Sequence, residues 1–370
     1  MTRLLLFVIL TVLSSVPRAE NYAQRDDVQA FVQEMQDKHG FDADVLTELF
    51  RRTKPIASVI KAIMPPKDLG IRSWQAYRGR FVEPKRIAAG RRFMRVYAAE
   101  LAAAETRFGV PAEIIAAIIG IETIYGKQMG HFGTFAALTT LAFDYPPRAE
   151  LFRKELEELL LLAREENRNP LAYTGSYAGA MGLPQFLPSS RRRFALDFDN
   201  DSRIDLVTSR ADAIGSVANF LAGNGWERDA PIAIAVTVAG DGVQALIDEG
   251  IVPQRTPREM ESANNVALTR VMSPAAPETV SLADRADKAP AQQGGRAKDA
   301  LLAAADGGTA PEGDTVISQR PAALIDLITP EAPTEYRLGY RNFYVITRYN
   351  RSSFYAAAVI DLAAALRASK

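Results

Sequence analysis

The chain has 370 residues, with 44 Lys+Arg against 44 Asp+Glu, two histidines and no cysteine. That length allows two or three domains and a sizeable core, and the balanced charge argues against a strong electrostatic hold on nucleic acid or anionic lipid. The lack of cysteine excludes disulfides, a thiol nucleophile and an acylated cysteine at the N-terminus, and two histidines make a histidine triad or multi-histidine metal site a poor fit.

The first residues, MTR followed by LLLFVILTVLSSV, combine a positive start with a short apolar run. This is the layout of a signal peptide, placed at 1–23 with cleavage after Ala19 or Ala23, both imperfect sites; an uncleaved anchor or a buried N-terminal helix is the alternative. The run is short for a permanent span, so export to the periplasm of a soluble protein is expected.

From Asp26 the chain reads helical. Val28, Phe31, Val32 and Met35 fall on one face, and Gly40 ends the helix. One long helix is expected from Glu83 to Phe108. Pro111 then opens a helix, PAEIIAAIIGIETIYG, that is apolar nearly all round and therefore central, with Gly126 as its terminator. Arg148 to Glu166 reads as an amphipathic helix with Leu151, Phe152, Leu156, Leu159, Leu160 and Ala163 inward. PIAIAVTV (231–238) and NFYVITRY (342–349) read as strands. Residues 273–315, rich in Ala, Pro, Gly and Asp, are expected to form a disordered insertion. SSFYAAAVIDLAAALRA closes the chain as a helix capped by Ser352 or Ser353.

Glu122 stands at the end of the apolar helix. A carboxyl group there is partly desolvated, which disfavours its charged form and raises its pKa. Such a group can hold a proton near neutral pH and give it to a leaving oxygen. Gly120 is expected to leave room beside it for a ligand. The alternative is a glutamate at a helix end pointing to solvent. A second candidate lies in DFDNDSRID, where Asp197, Asp199 and Asp201 alternate as in the opening of an EF-hand calcium loop. Arg203 would follow with its backbone carbonyl, Ser202 replaces the usual turn glycine, and Thr208 stands in place of the closing glutamate. The alternative is an Asp-rich turn that caps a helix.

The segments GVPAEIIAAIIGIETIYG, AFDYPPRAELF, GSYAGAMGLPQFLPSS, DAIGSVANFL and NFYVITRYN together resemble the membrane-bound lytic transglycosylase B family. The resemblance implies a mainly α (α+β) protein: a lysozyme-like helical core with a flanking helical domain and a small antiparallel β domain. The expected boundaries are 26–108 for the N-terminal helical domain and 109–229 for the core, with its EF-hand-like loop at 197–212. The β-rich domain is placed at 230–350, and a C-terminal helix at 351–370 packs on the helical domain.

The same resemblance implies cleavage of the bond between N-acetylmuramic acid and N-acetylglucosamine in peptidoglycan, without water, leaving 1,6-anhydro ends. Glu122 matches the family's single catalytic glutamate, and the substrate's acetamido and C6 hydroxyl groups would supply what a second carboxylate supplies elsewhere. The glycine-rich segment would form a wall of the saccharide groove, with Ser176 and Gln185 bonding to the sugar and Phe186 packing on a ring. Tyr125, Tyr344, Tyr349 and Asn350 would face the same groove. Arg148 is placed against a substrate carboxylate, although Pro147 stands where the family often has a second basic residue. Asp212 would close the cation loop. The expected partners are glycan strands and other cell-wall enzymes, for a monomer needing no cofactor for catalysis and holding calcium structurally. A hydrolytic muramidase or a non-catalytic wall-binding scaffold are the alternatives.

Overall fold

A computed structural model describes residues 21–65, 73–271 and 318–368. The expected insertion at 273–315 and residues 1–20 of the expected signal segment lie outside them. The chain divides into two units, each made of two chain segments: residues 1–64 with 130–180, and residues 65–129 with 181–370. This division crosses the expected boundary at 108/109.

The first unit is built on amphipathic helices. In the helix Asp26–His39 the buried residues are Val28, Phe31, Val32 and Met35, and Gly40 ends it in the left-handed conformation. Phe31, Phe50 and Phe143 meet pairwise at ring-centroid distances of 6.0–6.1 Å, and Phe135 joins Phe50 at 5.3 Å. Tyr22 is fully buried, and its hydroxyl bonds to Asp144 and lies 3.4 Å from Thr140 Oγ1. The second amphipathic helix runs Ala149–Glu165 with the expected face buried, except that Leu151 is 38% exposed and Glu155 is buried instead. Two short antiparallel strands, β1 (Phe132–Gly133) and β2 (Thr174–Gly175), complete this unit.

The second unit centres on the helix Ala112–Thr123, where every residue from Glu113 to Ile121 is buried. Ile114, Ile115, Ile118, Ile119 and Ile121 leave it no polar face, so it must be covered on all sides. The cover comes from the helices Pro84–Val96, Ala98–Phe108, Arg210–Gly223 and Ser353–Arg367. Pro111 precedes the helix as its N-cap residue. The expected long helix is two, Pro84–Val96 and Ala98–Phe108, broken at Tyr97 with φ −110° and ψ 35°. No proline or glycine marks that break. The C-terminal helix is capped by Ser352, whose hydroxyl accepts from the Tyr355 N–H. It lies on Ala112–Thr123 as well as on the helices Trp74–Phe81 and Pro84–Val96.

The small sheet is antiparallel throughout. Its order is β4 (Val266–Arg270), β3 (Ala233–Gly240), β6 (Glu335–Gly339) and β5 (Ala323–Leu327). Val236 pairs with Arg270 on one side and Tyr336 on the other. Val236, Leu268, Leu324 and Leu338 form its buried core with Leu246 and Met260. The segment 231–238 is a strand as expected, but NFYVITRY is not. Arg341–Thr347 is a helix with Phe343, Val345 and Ile346 all buried. A short run with most positions buried gives no clear periodicity that separates helix from strand, and here packing overrides the β preference of Phe, Val, Ile and Tyr.

Candidate active site

Glu122 lies in the last turn of the buried helix, one residue before its end at Thr123. The side chain is largely enclosed, and Tyr355 on the C-terminal helix donates to its Oε1 at 2.6 Å. Burial pushes its carboxyl up to about 7, against an opposing pull from the Tyr355 hydrogen bond. No second carboxylate contributes to that shift. Burial also raises Tyr355 well above the usual phenol range, with the Glu122 charge adding to it, so Tyr355 stays a neutral donor. Three consecutive residues beyond the helix turn left-handed: Ile124 (φ 51°), Tyr125 (φ 57°) and Gly126 (φ 92°). The helix therefore ends three residues before Gly126, the glycine expected to end it.

Tyr125 does not face a ligand. Its ring packs on Phe93 at 5.2 Å and lies against Gly90 and Gly120, its hydroxyl buried without a partner. The space above Gly120 is filled by this ring, which corrects the expectation of room for substrate. A Cβ at Gly120 would stand 2.6 Å from Tyr125 Cζ. Gly120→Ala should therefore cost ~1–3 kcal/mol by overpacking, readable as a lower urea midpoint.

The glycine-rich segment is closed on itself by pairing of Met181 with Phe186 in both directions. Gln185, at φ 51°, donates through Nε2 to Gly182 O (2.8 Å) and Met129 O (3.1 Å), so its amide N–H groups staple the loop. Phe186 is 2% exposed, packed on Phe220 and Tyr349 at 5.6 and 5.8 Å. It belongs to the core and offers no face to a sugar ring, against expectation. Tyr349 is half-buried, donates to Pro184 O at 2.5 Å and stacks on Tyr355 at 6.4 Å. Burial raises its hydroxyl far above normal, and the Glu122 charge adds to the rise.

Tyr344 lies on the helix between Arg341 and Arg348, at 5.6 and 6.0 Å from their guanidinium carbons, and Asn350 is exposed just beyond. In the other unit, Ser176 Oγ accepts from the Ala178 and Ala180 N–H groups at 3.3 and 3.1 Å, which leaves its hydroxyl hydrogen to donate. Arg148, also in that unit, is exposed over the Phe152 ring at 5.4 Å.

In the aspartate loop, carboxylate oxygens of Asp197, Asp199 and Asp212 lie within 4.8 Å of one another. Asp212, 1% exposed, sits in the first turn of Arg210–Gly223 and accepts from Phe198 N (2.8 Å) and Asp205 N (2.7 Å). Burial raises its carboxyl, and the Asp199 charge adds to the rise. Asp201 is not in this trio; its carboxylate accepts from Arg203 N at 2.8 Å, a turn contact. Arg203 is exposed. Ser202 has φ 69°, so it adopts the left-handed turn in which loops of this kind use glycine.

The family model described as Transglycosylase SLT domain matches residues 23–284 and 273–364. The chain belongs to that family. Its members are lytic murein transglycosylases, lyases acting on peptidoglycan, and their fold is lysozyme-like. The chain is 35% identical over 355 residues to membrane-bound lytic murein transglycosylase B of Escherichia coli strain K12, spanning 94% of this chain and 84% of that protein. It resembles the crystal structure of soluble lytic transglycosylase SltB1 from Pseudomonas aeruginosa, with a TM-score of 0.74 and 36% identity, over 92% of this chain and 98% of that one. It also resembles the Escherichia coli lytic transglycosylase Slt35 in complex with calcium, with a TM-score of 0.68 and 33% identity, over 94% of each chain.

Two residues that hold Glu122 and its helix end in the candidate site were missed from sequence. Tyr355 is 233 positions from Glu122; its one signal is a phenol set in a run of alanines that let helices approach. Thr123 is fully buried, with its hydroxyl 3.1 Å from Leu183 O and accepting from Gly126 N at 3.0 Å.

Proposed function

We propose that this chain cleaves peptidoglycan glycan strands between N-acetylmuramic acid and N-acetylglucosamine with Glu122 as sole acid and base. The carrying observation is an enclosed carboxyl group titrating near 7, held by one tyrosine hydroxyl and shifted by no second carboxylate. At neutral pH about half of such a group carries a proton. It protonates the glycosidic oxygen as the bond to muramic C1 breaks, with the neighbouring acetamido oxygen supporting the electron-poor carbon. The carboxylate left behind then takes the proton from the C6 hydroxyl as that oxygen closes on C1. The acetamido group is released, Glu122 ends protonated, and no water is consumed. Ordinary glycosidases need a second carboxylate for the nucleophile or the water. Digestion of purified sacculi followed by mass spectrometry tests this: 1,6-anhydro ends are expected, and hydrated reducing ends or intact strands would overturn it.

The aspartate loop suits a hard cation. Asp197, Asp199 and buried Asp212 supply oxygen ligands, and the Asp212 carboxyl is raised by burial with the Asp199 charge adding to it. Calcium bound there would be structural. Addition of calcium should raise the melting temperature and chelator reverse it, with Asp199→Asn removing the response. Ser202→Gly should raise the melting temperature, because glycine relieves ~1 kcal/mol of left-handed strain in the folded loop; thermal unfolding reads this directly.

Export fits the N-terminal apolar run. Cleavage after Ala19 is favoured over Ala23, because Asn21 caps the first turn and Tyr22 is fully buried. Among the described residues no helix is long and apolar enough to cross a membrane.

A further inference from the structure

We infer that the Thr123 hydroxyl is a positioning group for the reaction, tying the helix end that carries Glu122 to the loop segment Leu183–Pro184. The inference rests on Glu122 being the acid. Two consecutive carbonyls of that segment are held by two hydroxyls. Leu183 O lies 3.1 Å from Thr123 Oγ1, and Pro184 O accepts from Tyr349 at 2.5 Å. Tyr349 stacks at 6.4 Å on Tyr355, the donor to Glu122, and Thr123 follows Glu122 in the chain, so both hydroxyls belong to the surroundings of one carboxyl group. The Leu183 N–H is also engaged, donating to Leu206 O at 2.8 Å.

The same Thr123 oxygen accepts from Gly126 N at 3.0 Å, closing the left-handed run that follows the acid. That run includes Ile124, a β-branched residue for which φ 51° is unfavourable. Strain of this kind persists where surrounding contacts over-determine it. The Thr123 hydroxyl supplies two of those contacts, one within the turn and one to Leu183. Its oxygen also lies 3.2 Å from Ile119 O, so the one hydroxyl hydrogen is shared between the loop carbonyl and the helix's own carbonyl. Without the hydroxyl the helix end keeps its backbone bond from Ile124 N to Gly120 O at 3.1 Å, while the register between Glu122 and the loop loses its tie.

The test compares Thr123→Val, Thr123→Ser and Glu122→Gln on purified sacculi, with rates normalised to folded protein. Thr123→Val should lower kcat about 10- to 100-fold, the scale of a misplaced catalytic group, with KM changed less than about twofold on the same scale. Its alkaline limb should move to lower pH, because a loosened helix end lets water reach the carboxyl group. Thr123→Ser should recover most of the rate and the wild-type limb. Should Thr123→Val fail to fold, Thr123→Ala carries the same measurements without a methyl group against the carbonyls. A folded variant lacking the hydroxyl with wild-type kcat and pH profile, beside an inactive Glu122→Gln, would overturn this inference alone. An active Glu122→Gln would overturn both this and the proposed mechanism.

Discussion

Glu122→Gln is expected to lose nearly all cleavage of sacculi and to gain stability at alkaline pH. General acid–base catalysis contributes on the order of 10²–10⁴-fold per group, and here one group performs both transfers, so loss at or beyond the upper end is expected. The stability effect has a sign fixed by the carboxyl shift. Glu122 rises from 4.5 unfolded to about 7 in the folded protein. Between those values the folded state holds more protons than the unfolded one, so stability falls as pH rises. Above 7 both states are ionised and the folded state bears the whole cost of an enclosed charge. At 1.36 kcal/mol per pH unit the gap amounts to ~3 kcal/mol. Glutamine carries no charge at any pH and can still accept from Tyr355. The variant should therefore unfold at higher urea than wild type at pH 8, with the difference gone below about pH 4. Equal midpoints at pH 8 would mean that the carboxylate is well solvated, and the proposed acid would lose its physical basis.

How far this could be read from sequence depends on where each signal lies. The central helix was legible because five isoleucines leave it no polar side, and its terminal glutamate was conspicuous for the same reason. The apolar face of Asp26–His39 and the strand at 231–238 were legible from local periodicity. The tyrosine-rich segment was not, since a short and mostly buried run gives no clear period that separates helix from strand. Gly120 was expected to leave room for a ligand, but sequence cannot say whether a ligand or a side chain fills the space beside a glycine; here Tyr125 does. Phe186 was misread for a related reason: an aromatic ring in a glycine-rich loop can face a groove or the core, and Phe220 and Tyr349 draw it inward. Asp201 keeps the alternating pattern of a cation loop, yet its carboxylate is turned back to Arg203 N. Tyr355 has only the faint signal of a phenol among alanines, and the contacts that matter, Tyr355 to Glu122 and Thr123 to Leu183, are tertiary.

Tyr355→Phe should lower kcat about 10- to 100-fold while moving the alkaline limb to higher pH. The hydroxyl donates to Glu122 Oε1 at 2.6 Å and opposes the rise caused by burial. Hydrogen bonds to a charged group contribute ~1.5–3 kcal/mol, and the bond here strengthens as the acid gives up its proton and becomes charged. It therefore favours the transition state over the protonated ground state, the differential that accelerates a reaction. Without it the carboxylate is less stable, the proton is held more tightly, and more enzyme is in the protonated form at pH 8. Two consequences then oppose each other in one variant: a larger fraction competent to start and a slower step once started. A change in local packing alone would lower the rate without raising the limb. A limb that stays near 7 or falls in Tyr355→Phe would show that this hydroxyl does not stabilise the charge on Glu122. An upward limb with a slower maximum rate is the result that a single acid, serving as its own base, requires of the tyrosine hydroxyl that donates to it.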